Sequence, residues 1–318
     1  MRVLFAGSPA IAIPSLESIL NTEGIELAGV LTNPDTPKGR HGTPAPTEVG
    51  EAAQREGSFL ILKPEKLDAA AREQVASLKP DLLVSFAYGR LFGPKFLSLF
   101  PLGGINIHPS LLPKYRGPSP IQAAILNRDA ITGVTIQTLA QEMDCGDILA
   151  SAQLQLTGRE TTLSLSEIAA DKAAQMLPEV LKKTADKTIQ KTAQNHGDAS
   201  YCKLIKKEDG IINWNKSAVE IDAEIRAFYP SPLSRTVHNG RELLILQADV
   251  YKGDFIQSSG NLQNTPALVL GIDKQCGILI QTGDGILAVK ELQYQQKKAL
   301  SWRDFLNGSR DFINSLLT

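Results

Sequence analysis

The chain has 318 residues, of which 42% are hydrophobic and 21% charged, as in ordinary globular proteins. With 33 Lys and Arg against 34 Asp and Glu, its net charge of −1 gives no general reason to expect a polyanionic partner, which would need a local basic surface. No apolar run approaches the roughly 18 residues of a membrane-spanning helix, and the three widely spaced cysteines indicate neither a disulfide framework nor a zinc site.

The length of the chain and a polar stretch within it predict two domains joined by a linker. A first domain is expected at residues 1–183, a polar linker at 184–203 and a second domain at 204–318. The opening residues resemble neither a signal peptide nor a transit segment, which predicts a cytoplasmic protein.

The first domain alternates β-rich runs with helical patterns, which predicts an α/β fold with a Rossmann-like, mostly parallel sheet. Strands are expected at 2–6, 26–31, 59–62, 81–86, 104–108, 133–139 and 147–155, and helices at 9–20, 47–55, 67–78, 119–126 and 160–183. The first turn lacks the GxGxxG pattern of dinucleotide sites. A ligand is still expected beyond the carboxyl ends of the strands.

The segment at 32–48, TNPDTPKGRHGTPAPTE, is rich in Pro, Gly and Asp. This composition predicts an exposed, irregular loop, and it carries Lys38, Arg40 and His41. A solvated connector and a binding loop are both compatible with it.

The most informative strand is 104–108, because its polar residues recur at every second position. Asn106 and His108 should project from one face where the strand ends, while Ile105 and Ile107 face the opposite layer. Pro109 then stops the strand. A structural histidine is the simpler interpretation of His108, but the neighbouring amide and the loop that follows favour a site.

A second polar segment, 142–147, links two apolar runs and contains Asp144 and Asp147. By itself it predicts a turn. A carboxylate near His108 would favour the imidazolium and orient the ring, as general acid/base catalysis requires.

The second domain is predicted to be a small, OB-like β-barrel. Two hairpins are expected, joined at Asn239-Gly240 and at Asp284-Gly285, with a helix opened by the capping box Ser217 to Glu220 and a closing helix from Ser301. The lysines at the start of the domain are either solvated surface residues or phosphate contacts. They are Lys203, Lys206 and Lys207.

The run NIHPSLLPKYRG at 106–117, together with Met143-Asp144 and Gly146-Asp147, resembles the formyltransferases that use 10-formyltetrahydrofolate. The resemblance extends along the chain through 2–10, 33–40, 86–89, 212–214 and 225–232. Within this family it is strongest to the branch that acts on initiator methionyl-tRNA. Relatives that formylate small amines, such as amino-sugar nucleotides or glycinamide ribonucleotide, share the first motif and stay an alternative.

The resemblance implies a catalytic trio of Asn106, His108 and Asp144, with 10-formyltetrahydrofolate as co-substrate and no metal. It also implies initiator methionyl-tRNA as the partner, and formylated initiation implies a bacterium or an organelle. Because no transit segment is recognised, the bacterial cytosol is expected, and since nothing suggests an oligomer, so is a monomer. The implied folate site consists of Phe86, Ala87, Tyr88, Gly89, Ser110, Leu111, Leu112 and Pro113. The implied tRNA contacts are Lys38, Arg40, Lys203, Lys206 and Lys207.

The chemistry of formyl transfer agrees with that trio. Negative charge develops on the formyl oxygen, and Asn106 and a protonated His108 could donate hydrogen bonds to it. Proton transfer would use His108 directly or through a water held by Asp144, and no nucleophile such as Cys145 is needed. A noncatalytic RNA-binding protein on the same scaffold is the remaining alternative.

Overall fold

The computed structural model describes residues 1–38, 42–57, 59–253, 265–309 and 311–318, and divides into two compact units. The first unit comprises Met1–Pro120, Ala130–Leu156 and Ser164–Lys203. The second comprises Ile121–Asp129, Thr157–Leu163 and Leu204–Thr318. In the described ranges, no helix combines the length and the apolarity that crossing a membrane requires.

A seven-stranded sheet forms the centre of the first unit, in the order β5-β2-β1-β6-β7-β8-β9. Its strands from β5 to β7 run parallel, whereas β8 and β9 are antiparallel additions, so the predicted Rossmann-like, mostly parallel sheet is confirmed. The strands of this unit are β1 (Arg2–Gly7), β2 (Glu26–Leu31), β3 (Thr36–Lys38), β4 (Thr43–Ala45), β5 (Ile61–Leu62), β6 (Leu82–Phe86), β7 (Gly104–His108), β8 (Ile131–Thr138) and β9 (Ile148–Gln155).

Two of the helices between these strands begin at a residue whose side chain caps them. Thr47 accepts a hydrogen bond from the amide of Gly50 at 3.0 Å, and Asp68 accepts one from Ala71 at 3.0 Å. The helices are α1 (Ile13–Leu20), α2 (Glu48–Glu56), α3 (Ala69–Ser77), α4 (Pro94–Leu97), α5 (Pro120–Leu126) and α6 (Thr162–Ala185). The sequence suggests a kink or break at Pro178, but α6 is assigned as one helix through this residue.

One apolar core of this unit lies on the sheet. It joins Leu4 and Leu83 of the central strands to Val75 and Phe96 of the helices, all of them almost fully buried. Each such side chain stabilises the fold by roughly 1.5–3 kcal/mol. This core fixes the strand ends from which the polar residues project.

Part of the segment expected to be irregular is a two-stranded ribbon. β3 and β4 pair antiparallel, with Thr36 opposite Ala45 and Pro37 opposite Pro44. Because proline has no N–H, the two prolines can share only a non-hydrogen-bonded position of the ladder. The prediction of a wholly irregular loop is therefore wrong for these residues, while Arg40 and His41 lie outside the described residues.

Residues 184–203, predicted as a linker, lie in the first unit. Thr192 forms two backbone hydrogen bonds with Ile148 of β9, at 2.8 and 2.9 Å. Gln194 is 6% exposed and bonds to the turn after β8. These contacts, which composition does not reveal, attach the segment to the sheet.

The second unit contains the expected antiparallel sheet, in the order β10-β11-β14-β13-β12, with β15 paired to β14. Asn239 and Gly240 both have positive φ values, 49° and 73°, as the two-residue turn between β10 and β11 requires. The remaining elements are β10 (Ser234–His238), β11 (Arg241–Val250), β12 (Val269–Asp273), β13 (Gly277–Gln281), β14 (Ile286–Tyr294), β15 (Leu300–Ser301), α7 (Ala218–Ala227) and α8 (Trp302–Gly308).

The capping signals that the sequence shows for α7 and α8 are confirmed. Ser217 accepts from the amide of Glu220, whose carboxylate accepts from the amide of Ser217 at 2.9 Å, so the capping box opens α7. Ser301 accepts from the amide of Asp304 at 3.2 Å and opens α8.

The last residues of the chain connect the two edges of this sheet. Thr318 exchanges two backbone hydrogen bonds with Val237 of β10, at 2.7 and 3.0 Å. The same tail pairs with the opposite edge, where Leu317 donates to Ala267 at 3.0 Å and Val269 accepts from Asn314 at 2.8 Å. Both edges are thereby covered, and the sheet closes into a small barrel-like domain.

We expect Leu317→Ala to lower the free energy of unfolding of the second unit by about 2–5 kcal/mol, because the removed side chain leaves a cavity in the core. Leu317 is 2% exposed. Both tryptophans, Trp214 and Trp302, belong to this unit, so urea unfolding followed by their fluorescence measures it.

The adjacent Leu316 is 54% exposed and provides the matched control. Leu316→Ala should change the same free energy by less than about 0.5 kcal/mol. Equal losses in the two variants would contradict closure of the barrel by this tail.

Candidate active site

Asn106 and His108 lie on one face of β7, as the alternation predicts, and β8 supplies their partners on that face. The register pairs Asn106 with Gln137 and His108 with Thr135. Directly opposed residues of an antiparallel pair have side chains on the same face. Four polar side chains therefore gather where β7 ends.

His108 is only 5% exposed, and both nitrogens of its ring face oxygen atoms. Nε2 lies 2.8 Å from the carbonyl oxygen of Tyr115, which can only accept, so Nε2 carries the proton. Nδ1 lies 3.5 Å from Oδ1 of Asp144. In the neutral ring, the lone pair of Nδ1 therefore faces the carboxylate.

Asp144 projects into the site from the turn between β8 and β9, where its backbone adopts a φ of 57°. Its Oδ2 accepts a hydrogen bond from the amide of Gly117 at 2.8 Å, and Oδ1 accepts one from Nε2 of Gln137 at 3.0 Å. Gly146 allows the turn to pack closely, since a Cβ there would lie 1.7 Å from the carbonyl oxygen of Thr138. Hydrogen-bond donors thus hold both oxygens of the carboxylate.

Burial determines the charge of His108. It lowers the pKa of the imidazole below its usual 6.5, and this effect exceeds the opposite effects of the Asp144 charge and the Tyr115 carbonyl. The ring is therefore neutral at pH 7. As expected from the sequence, the charge of Asp144 favours the imidazolium, but it does not offset the loss of hydration in the free protein.

Asn106 is half-buried. Its side-chain amide makes no hydrogen bond within the described part of the chain. Its N–H groups are thus available to an oxygen of a bound molecule. The trio expected from the sequence is brought together at the end of one strand, and its catalytic role stays a prediction.

Phe86 to Gly89 follow the end of β6 with alternating exposure. Phe86 and Tyr88 are buried, and Tyr88 stacks on Phe92 with ring centroids 5.3 Å apart. Ala87 and Gly89 are exposed and have φ values of 51° and 79°. A ligand at this sheet edge would therefore meet the backbone of Ala87 and Gly89.

The hydroxyl of Tyr88 is buried, and no described residue bonds to it. Burial raises its pKa, which keeps it protonated. At the backbone of the same residue, Asn33 donates to the carbonyl oxygen of Tyr88 at 3.0 Å. The side-chain oxygen of Asn33 is buried without a partner among the described residues.

The side chain of Thr135 on β8 fixes the backbone of the loop from Ser110 to Pro113 by two hydrogen bonds. Thr135 donates to the carbonyl oxygen of Ser110 at 2.7 Å and accepts from the amide of Leu112 at 3.1 Å. The buried side chains of Ser110 and Leu112 shape the loop, whereas Leu111 and Pro113 are partly exposed. The folate contacts assigned to these residues stay predictions.

The residues expected to bind tRNA are distributed over both units. Lys38 ends β3 and Lys203 belongs to the first unit, while Lys206 and Lys207 belong to the second. All three lysines from 203 to 207 are exposed. Arg40 lies outside the described residues, and the tRNA contacts stay predictions.

Three buried polar residues around Asp144 were not predicted from the sequence: Gln137, Gln194 and Arg116. The same alternation that singled out β7 places Thr135 and Gln137 on one face of β8, so this signal was available. Gln194 lay in the supposed linker and had no signal. Arg116 lay inside the quoted motif without an assigned role.

Cys145, next to Asp144, is not activated, because burial raises the pKa of its thiol. In the described ranges, no three His, Cys, Asp or Glu residues are placed to hold a metal ion.

The chain matches two family models. Residues 1–181 match the model described as formyl transferase, and residues 204–310 match the model described as formyl transferase, C-terminal domain. A methionyl-tRNA formyltransferase of Treponema denticola is 49% identical over 320 residues, with 98% of each chain covered. One of Borrelia duttonii is 38% identical over 319 residues, with 100% of each chain covered.

Solved structures show a similar fold at low identity. HypX from Aquifex aeolicus in complex with tetrahydrofolic acid has a TM-score of 0.66 and 17% identity, covering 98% of this chain and 48% of that chain. An N-formyltransferase from Helicobacter canadensis, in complex with folinic acid and dTDP-3-aminofucose, has a TM-score of 0.64 and 20% identity, covering 90% and 98%.

The lowered pKa of His108 predicts a loss of stability in acid. Below pH 6.5 the unfolded chain binds the proton more readily than the folded protein, so the free energy of unfolding falls as the pH falls. Above 6.5 the contribution is constant. We expect His108→Gln to weaken this dependence, measured by urea unfolding between pH 5.5 and 7.5.

Burial also lowers the pKa of His238, which contributes in the same direction. Because His238 is present in both proteins, the comparison isolates His108. An identical pH dependence in wild type and variant would show that His108 is not buried in its neutral form.

Proposed function

The chain belongs to the formyl transferase family, and we propose that it transfers the formyl group of 10-formyltetrahydrofolate to the α-amino group of methionyl initiator tRNA. The single observation that carries this proposal is the extent of the match. Relatives named for that activity align over both units of the chain, at up to 49% identity. A small acceptor would give the second unit no evident role.

The residues at the carboxyl ends of β6 and β7 fit the co-substrate. Asn106 has amide hydrogens that no described residue uses, and Ala87 and Gly89 expose their backbone at the adjacent strand end. 10-Formyltetrahydrofolate supplies the formyl carbon that the amine attacks. The predicted folate contacts from Phe86 to Gly89 and from Ser110 to Pro113 lie along this edge.

Each member of the trio has one task. Asn106 donates a hydrogen bond to the formyl oxygen as charge develops there. His108, neutral in the free protein, accepts at Nδ1 the proton lost by the attacking amine, directly or through a water, and then makes it available to N10 as the old C–N bond breaks. Asp144 stabilises the imidazolium that exists between these transfers.

Basic side chains of the loop at 32–48 and of the segment at 203–207 bind the tRNA. Lys38, Arg40, Lys203, Lys206 and Lys207 contact its phosphates, and Arg40 contacts the end of the acceptor arm. Such contacts release counterions, so the affinity for tRNA falls as salt rises. We place the reaction in the cytosol of a bacterium, because the relatives of this activity are bacterial, and we expect a monomer.

The proposed acceptor is tested by comparing charged initiator tRNA with small amines. We expect formylation of methionyl initiator tRNA with kcat/KM at least about a hundredfold above that for free methionine or a dTDP-linked amino sugar, since the second unit contributes binding only to tRNA. Formyl transfer from labelled 10-formyltetrahydrofolate measures it. Equal use of the small amines would reject tRNA as the acceptor.

We expect Asn106→Ala and His108→Ala each to lower kcat by about 10²–10³-fold, because one removes an oxyanion donor and the other the base. Single-turnover formylation and filter binding of tRNA separate catalysis from affinity, which should stay within about twofold of wild type.

Asn21→Ala, at an exposed helix end, is the control for loss of an asparagine and should retain full activity. A tRNA affinity that falls in parallel with kcat would contradict the catalytic assignment.

A further inference from the structure

Three polar side chains behind Asp144 are almost completely buried and have no task in the mechanism above. Arg116 and Gln137 are 1% exposed and Gln194 is 6% exposed. Burying polar groups is costly unless each finds a partner, so their arrangement should serve a purpose that apolar packing would not.

The direction of hydrogen bonding is fixed at Arg116. Its guanidinium can only donate, and Nε and Nη2 both bond to Oε1 of Gln194, at 3.1 and 2.7 Å. Gln194 must therefore present its oxygen to Arg116 and its NH₂ group to the opposite side. There it lies 2.9 Å from the carbonyl oxygen of Asp144 and 2.7 Å from that of Gly146.

The same NH₂ group determines the orientation of the side-chain amide of Gln137. Its two hydrogens are shared among three oxygens, because Oε1 of Gln137 lies 3.1 Å away as well, and this contact holds the oxygen of that amide towards Gln194. The NH₂ group of Gln137 must then face Oδ1 of Asp144, to which it donates at 3.0 Å. A rotation of either amide by 180° would bring two oxygens together.

Both oxygens of Asp144 are thus committed to accepting, since Oδ2 receives the amide hydrogen of Gly117. Gly117 follows Arg116 in the chain, so a short segment supplies both the start of the hydrogen-bond chain and the second donor. The Oδ1 atom that Gln137 holds is the one facing Nδ1 of His108.

We infer that Arg116, Gln194 and Gln137 form a one-way hydrogen-bond relay that keeps the carboxylate of Asp144 directed at Nδ1 of His108. The three are positioning residues, since none touches the reacting atoms. The inference deepens the proposed function and rests on it for the catalytic consequence. Its structural consequence, the orientation of the Asp144 carboxylate, is independent of the substrate.

The surroundings of Arg116 support this assignment. Within the described residues no carboxylate lies within ion-pair distance of its guanidinium, and its other contacts are neutral: the hydroxyl of Tyr201 and Nδ1 of His196, each at 3.2 Å. Burying a cation without a counterion is costly, so stability alone does not explain its position. Its distinctive property here is that it donates and never accepts.

Gln194→Glu tests the relay with little change in shape. The new carboxylate would keep the contact with Arg116 as an ion pair but would have no hydrogen to donate to Gln137 or to the carbonyl oxygens of Asp144 and Gly146, so Gln137 would turn its NH₂ group towards it and its oxygen towards Asp144. We expect the Asp144 carboxylate to turn away from Nδ1 of His108, because Oδ1 loses its donor. A crystal structure of the free variant measures the distance between Nδ1 and Oδ1, which is 3.5 Å in the wild type.

The kinetic expectation is a fall in kcat of about tenfold or more, with KM for tRNA and for the folate within about twofold of wild type, since only the orientation of Asp144 changes. Gln137→Met, which removes the last donor without adding charge, should displace the Asp144 carboxylate from Nδ1 of His108 in the same way. It serves as the second test if Gln194→Glu does not fold.

Gln153→Glu, an exposed position on β9, controls for the added negative charge and should leave both the Nδ1 to Oδ1 distance and kcat unchanged. An Asp144 carboxylate that stays in place in a folded Gln194→Glu or Gln137→Met variant would overturn the relay, as would a loss confined to KM. If the wild-type enzyme did not formylate methionyl-tRNA, the proposed function would fail, while the structures of the free variants would still decide the relay.

Discussion

Two hydrogen-bond acceptors face each other at the centre of the first unit, and the rest of the site depends on this arrangement. Nδ1 of His108 and Oδ1 of Asp144 lie 3.5 Å apart, and the neutral ring has no proton to place between them. The pair becomes favourable when a proton arrives. A site built in this way gains electrostatic stabilisation at the step in which an amine loses its proton.

Strand pairing creates that arrangement. His108 and Asn106 come from β7, whereas Gln137 comes from the antiparallel strand β8, and the turn after β8 returns Asp144 to the same edge. Close backbone approach at Gly146 allows this return. Burial of the ring then keeps it neutral, so the same packing that fixes the geometry also selects the proton-accepting form.

Local features of the chain were predictable, and long-range ones were not. Alternation placed Asn106 and His108 on one face, and the capping box at Ser217 opened α7, because both signals involve residues within one element. The docking of Gln194 depends on contacts with residues far away in sequence, which composition does not encode. The effect of burial on His108 could not be predicted for a related reason, since burial is a property of the whole fold.

The tail that closes the second unit has a consequence for synthesis. Because Thr318 pairs with one edge of the barrel and Leu317 with the other, the ring of strands cannot be completed before residue 318 has left the ribosome. The first unit ends at Lys203 and has all its strands available earlier. On a translating ribosome the first unit would therefore fold before the second. Nascent barrels with unpaired edges would be the species most exposed to misassociation.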